Sequence, residues 1–263
     1  MGCSRYLFAP VLLLGAQVSG RAEALPSYAV GTLPVAGTSG DVEFPIAGEF
    51  RGQGEMALVS QGTFDDKNPF AHLSLVSPTL WLHYDGIQNL RLSAAFQEIW
   101  SLSISEMGIP SSHEERFVVR ARLQEPRGTS ALYQMLRLDL RSFDDPTGNH
   151  QFVFRPRLRI GVGFNLDADR IHSTMLYMEG ALRFASSSYT TRAFDFYRAA
   201  FGYTWTTKRG LFITAALLGQ VSLNPAGTAV TFLYGPVLAL AYRIAPTVKE
   251  AETPPEPPEV DVQ

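Results

Sequence analysis

The stretch Gln151–Phe164, QFVFRPRLRIGVGF, decides how this chain folds. Its even positions are Phe152, Phe154, Pro156, Leu158, Ile160, Val162 and Phe164, all apolar. Its odd positions include Gln151, Arg155, Arg157, Arg159, Gly161 and Gly163. Alternation with a period of two, held for more than a dozen residues, is the mark of a β-strand with one greasy and one polar face. A helix repeats every 3.6 residues and would mix the two sets.

The same pattern recurs on both sides. In Glu115–Glu125, Phe117, Val119, Ala121 and Leu123 oppose Arg116, Arg120, Arg122 and Gln124. In Leu132–Phe143, Leu136, Leu138 and Leu140 oppose Arg137, Asp139 and Arg141. Leu176, Met178, Leu182 and Phe184 oppose Tyr177, Glu179 and Arg183, and Tyr197, Phe201, Tyr203 and Trp205 oppose Arg198, Gly202 and Thr204. Leu90–Gln97, Leu211–Val221 and Val230–Ile244 continue the series, with Glu55–Gln61 and Thr79–Tyr84 less regular. About ten strands emerge, with twelve as the alternative, and they are expected to form a single up-and-down antiparallel all-β barrel, nearly all being long enough to cross a bilayer at a tilt. The turn signal Asp85-Gly86 and the polar Pro126–Gly128 and Lys208–Gly210 mark short connections. Longer polar connections are expected at 65–69, 108–112, 144–149, 186–188 and 224–227. Asn165–Arg170 is the one connection at the short end that is not short. An even strand number would put both termini at that end. Trp81, Tyr84, Trp100, Phe143, Phe164, Tyr203, Trp205 and Tyr242 fall near strand ends, where interfacial aromatic girdles belong.

Composition agrees with a membrane barrel. Of 263 residues, 46% are hydrophobic and only 18% charged, and the net charge is −3. Mean hydropathy is only +0.01, which excludes a bundle of apolar spanning helices. A chain that enters lipid without such helices must do so as a closed barrel, because lipid satisfies no backbone polar group.

The chain reads as four parts. Residues 1–24 have the form of a signal peptide: Arg5, the apolar run Leu7–Ala16, and the small-x-small site Ala22-Glu23-Ala24. Residues 25–52 are a Gly/Pro-rich extension, in which Pro26, Pro34 and Pro45 argue against a central strand. Residues 53–245 form the barrel. Residues 246–263 are an acidic, Pro-rich tail of disordered composition. The expected location is the bacterial outer membrane. The only cysteine, Cys3, precedes the apolar run, so the exported chain would have no disulfide.

The chemical signature is arginine. Twelve arginines fall on the polar phase of a strand: Arg91, Arg116, Arg120, Arg122, Arg137, Arg141, Arg155, Arg157, Arg159, Arg183, Arg198 and Arg243. The acids sharing that phase are Asp139 and Glu179. Rings of arginine favour anions, so one reading is a narrow pore for a small anion. The other is a lumen filled by guanidinium groups paired with acids and backbone, a structural barrel. Its partners would be membrane lipid and the outer-membrane assembly machinery, with no nucleic acid, since the chain lacks a net positive surface.

The segments ERFVVRARLQE (Glu115–Glu125), LRLDLR (Leu136–Arg141), FRPRLRIG (Phe154–Gly161), MEGALRF (Met178–Phe184) and YRAAFGY (Tyr197–Tyr203) resemble the bacterial outer-membrane family known as domain of unknown function 2490. The likeness runs from Glu115 to about Gln220. It implies an outer-membrane barrel with no assigned activity. Such barrels commonly end on an aromatic residue; here Gly235, Leu238, Leu240 and Tyr242 carry that final-strand pattern and an acidic tail follows.

A barrel lipid hydrolase is the alternative, with His172-Ser173 and Glu179 as its nearest catalytic set. Adjacent strand residues point to opposite faces, so His172 and Ser173 should diverge, and the chain is read as a non-enzyme. His72, His83, His113 and His150 lack metal-ligand spacing, and no cofactor is expected.

Overall fold

The computed structural model describes residues 29–108, 110–144, 148–185, 194–223 and 229–244. The expected signal peptide and acidic tail, and the loops at 186–188 and 224–227, lie outside the described residues. The strands are β1 (Ala29–Ala47), β2 (Phe50–Gln61), β3 (His72–Ile87), β4 (Leu90–Ser101), β5 (Ser112–Arg127), β6 (Ser130–Asp144) and β7 (His150–Asn165). They continue as β8 (His172–Leu182), the two-residue β9 (Phe184–Ala185), β10 (Phe194–Thr206), β11 (Leu211–Leu223) and β12 (Ala229–Arg243). Both β8 and β9 pair with β7, on either side of Arg183, so they form one staggered wall strand. The result is a closed all-β barrel of eleven strands.

Every neighbouring pair is antiparallel except β1 with β12, which is parallel and closes the wall. Three expectations change here. The barrel has eleven strands, not ten or twelve, and it is mixed rather than wholly antiparallel. Residues 29–47, expected as an extension, form β1. The two ends of the strand region therefore lie at opposite mouths: β1 enters beside the long connections, and β12 leaves beside the short turns.

The prolines of β1 explain why the sequence disguises it. Pro34 lies one residue before the first pair with β2, Val35 with Gln61. Pro45 lies beyond the last pair with β12, Glu43 with Arg243. Each sits where the ladder is missing on one side, the only place a residue without an N–H costs nothing. Pro78, Pro156 and Pro236 obey the same rule: each interrupts the ladder to one neighbour and stays paired to the other.

The turn between β3 and β4 is at Gln88-Asn89, two residues past the Asp85-Gly86 signal. Asn89 takes the positive φ of 61° that the turn needs, a conformation asparagine tolerates. Asp85-Gly86 instead lies at the irregular end of β3, where the register shifts between Tyr84 and Ile87. Gly128 and Gly210, at φ of 66° and 80°, serve the next short turns as their sequence suggests.

The alternation of β7 is reproduced residue by residue: Arg155, Arg157 and Arg159 are buried, while Leu158 and Ile160 are exposed. Around the wall the outward phase is apolar, with Leu80, Leu136, Met178, Leu217 and Leu238 each exposed. Outward aromatics mark both rims. Phe50, Tyr84, Phe164, Trp205 and Tyr242 stand toward the short turns, and Trp100, Phe152, Phe184 and Phe232 toward the long connections. Trp81 departs from the expected girdle: it points inward and is buried.

Candidate functional site

The inward phase of the strands makes the site. Arg116, Arg120, Arg122, Arg137, Asp139, Arg155, Arg157, Arg159, Glu179 and Arg198 are all buried there. Arg141 and Arg183 join them at the mouth that carries the long connections. The pleat puts residues two apart on one side, so Arg155, Arg157 and Arg159 form a ladder on β7.

Three carboxylates organise these cations. Asp139, fully buried, accepts from Arg137 Nε of its own strand at 2.6 Å and from Arg155 across the β6–β7 seam at 2.6 Å. Arg157 lies 3.5 Å from the same carboxylate. Glu179 accepts from Arg157 and from Arg159, the latter at 2.9 Å. Asp195 on β10 accepts from Arg155 at 3.2 Å and from Arg183, reaching over the gap beside β9. Each acid thus serves at least two guanidinium groups. The planar fork of arginine suits this sharing, since its donors diverge in fixed directions.

The network extends beyond the ion pairs. Arg137 donates to Gln97 Oε1 at 3.2 Å, and Gln97 donates to Ser77 and Thr79. The Arg120 guanidinium lies 4.0 Å over the Trp81 ring, and Trp81 Nε1 donates to Glu55 at 2.9 Å. A charge over an aromatic face in a dry interior is favourable. On the opposite side the interior is small and apolar. Ala200, Gly202, Ala216, Leu218 and Val237 face Tyr177 around a cavity of about 10 Å³, room for roughly one water.

Sequence reasoning missed part of this site. It placed two acids on the inward phase; the structure adds Asp41, Glu43, Glu55, Asp85, Glu114 and Asp195. Glu114 accepts from both Arg116 and Arg141. Glu114-x-Arg116 shares one phase and could have been read from the sequence. Arg51 also turns inward, 3.1 Å from Asp85. Among the described residues the interior holds thirteen arginines and eight carboxylates.

His172 and Ser173 do point apart. His172 Nδ1 lies 2.6 Å from the outward Tyr203 hydroxyl, whereas Ser173 is buried. Glu179 is six residues along the strand, roughly 20 Å away, and is held by arginine. A second serine–histidine pair, unforeseen, lies inside: His83 Nδ1 is 2.9 Å from Ser93 Oγ, and Nε2 is 2.7 Å from Gln53 Oε1. His83 is 1% exposed, so this pair is a sealed polar bridge between β2, β3 and β4.

Among the described residues no helix is long and apolar enough to cross a membrane. Compared with known proteins, the chain matches no family model and no curated protein.

Proposed function

We propose that the chain is an outer-membrane β-barrel, exported by a leader that ends at Ala24, with an interior closed by an arginine–carboxylate network. One observation carries the reading: the barrel is inside out for water. Its outward face is apolar on the strands from β2 to β12 and at the end of β1, whereas its charges are buried within. Monomeric soluble proteins rarely expose contiguous apolar surface beyond a few hundred Å², and a belt around a whole barrel is what lipid requires. The resemblance to the family known as domain of unknown function 2490 supports the same reading, and we propose membership of it.

The role that fits a filled interior is structural and non-catalytic. A second reading, a narrow anion-preferring path, draws support from the excess of arginine over carboxylate, since uncompensated interior charge invites a counter-ion.

Fractionation and bilayer recording test these readings together. The mature protein, starting at Leu25, should be recovered with the outer membrane and should migrate differently on gels before and after heating. In planar bilayers it should pass no steady current. Recovery as a soluble protein retaining Met1 would overturn the membrane reading. A chloride-selective current that falls when Arg155, Arg157 and Arg159 become glutamine would replace the filled barrel with the anion path.

A further inference from the structure

β1 stands out in its pairing and in its outward face. It forms with β12 the one parallel pair among the described strands, with Thr38 beside Leu238 and Asp41 beside Ala241. Its neighbours β2 and β12 run antiparallel to each other. The strands from β2 to β12 are therefore a continuous antiparallel meander of ten, whose first and last members are already oriented to pair directly.

The seam between β1 and β12 is interrupted at mid-height, as the β3–β4 seam is at Pro78. Pairing stops after Pro34 with Tyr234 and resumes at Gly37 with Val237. Pro236 has no N–H to give there. A Cβ on Gly235 would stand 1.6 Å from the carbonyl oxygen of Val35. The outward face of β1 is unusual too. Thr32, Thr38 and Gly40 are exposed on it, and only Val42, Phe44 and Ile46 near its end resemble the rest of the wall. A shallow groove lined by Gly40, Gly54 and Pro78 follows.

A charged contact also anchors β1 near the end of its ladder with β12. Glu43 is buried, and its carboxylate accepts from Arg91 of β4 at 3.0 Å. It also lies 3.6 Å from Arg243 of β12 and 3.8 Å from Arg51 of β2. A single carboxylate thus ties β1 to both flanking strands. Asp85 shares two of these cations, lying 3.1 Å from Arg51 and 2.6 Å from Arg91.

We propose that β1 is a separable strand: the slot between β2 and β12 is a strand-binding site filled by β1 of the same chain, with Glu43 as its latch. When β1 withdraws, β2 and β12 close on each other and leave no edge, which lipid would not tolerate. The inserted form has two ladders where the withdrawn form has one, so β1 occupies the wall most of the time. The inference concerns the barrel wall and holds in detergent as in lipid, so it stands apart from the outer-membrane reading.

Cysteine pairs in the full-length, Cys3→Ser protein test it. Thr38→Cys with Leu58→Cys reports β1 in place, because those positions are partners on β1 and β2. Leu58→Cys with Leu238→Cys reports closure without β1, and Leu58→Cys with Leu240→Cys covers the next register of the same face. With β1 inserted, positions 58 and 238 are two strand spacings apart, roughly 10 Å, beyond the reach of a disulfide. Mild oxidation in detergent should give mostly the 38–58 bond, with a minor, slowly growing 58–238 or 58–240 bond. Glu43→Gln should raise the minor product several-fold and lower the major one. If Glu43→Gln does not fold, Arg243→Gln loosens the same latch. Absence of any β2–β12 bond after exhaustive oxidation, in folded protein with and without the latch substitution, would overturn the proposal and make β1 a permanent wall strand.

Discussion

Arg155 and Asp139 face each other across the β6–β7 seam as directly paired residues, with Arg155 Nη2 2.6 Å from Asp139 Oδ2 and the aspartate fully buried. That carboxylate also receives Arg137 and lies close to Arg157, so its loss leaves three buried cations short of an anion. Breaking one member of a buried ionic cluster typically costs about 3–5 kcal/mol, whereas exchanging the whole cluster for apolar side chains can be neutral. Asp139→Leu alone should therefore lower the urea midpoint of the refolded barrel strongly. Asp139→Leu combined with Arg137→Met and Arg155→Met should recover much of the loss. Equal damage from the single and triple variants would mean that packing, not charge, sets the cost.

The alternation of β7 has a sharper consequence. Leu158 is 39% exposed on the outer face and Arg157 is 3% exposed within. Leu158→Arg, near mid-strand, should cost about 2–4 kcal/mol if that face meets the bilayer core. A cysteine at 158 should take a lipid-phase label and one at 157 should not. The reverse labelling would mean a one-residue slip, which turns every side chain of a strand to the other face.

The three tryptophans should report three places. Trp100 and Trp205 stand on the outer face at opposite rims, and Trp81 is enclosed by Arg120 and Glu55. Brominated acyl chains should quench single-tryptophan proteins retaining Trp100 or Trp205 and leave Trp81 bright. Trp81→Ala should cost about 3–5 kcal/mol, as large-to-small changes in a packed interior do. Strong quenching of Trp81 would place it on the wall's outer surface.

Gly235 offers a test of the β1–β12 seam by stability alone. A methyl group there meets Val35 backbone, whereas at Gly219 the nearest atoms belong to the Phe232 ring at 3.7 Å. Gly235→Ala should destabilise by roughly 1–3 kcal/mol through overpacking. Gly219→Ala should change little, and matched thermal melts of the two would show the difference.

Most of the wall was legible because a strand with apolar side chains on one face and charge on the other writes its period into the sequence. β5, β6, β7, β8 and β10 all have that contrast. β1 lacks it: prolines and glycines break its pattern, and its pairing with β12 joins residues some two hundred positions apart, which no local signal records. The arginines were legible and their partners less so. Asp195 lies at the start of β10, before the regular alternation from Tyr197, and Glu43 lies in the disguised strand. Trp81 could not be assigned from its type, since aromatic side chains suit both a rim and an interior stacked beneath a guanidinium.

An odd number of crossings has a practical meaning. Because β1 begins at one mouth and β12 ends at the other, reporters fused ahead of β1 and after Ile244 would be separated by the height of the barrel in the inserted form. In the proposed outer-membrane setting such a chain would be a through-membrane connector, able to present one peptide to the surroundings and another to the space beneath. Withdrawal of β1 would bring both reporters to one side.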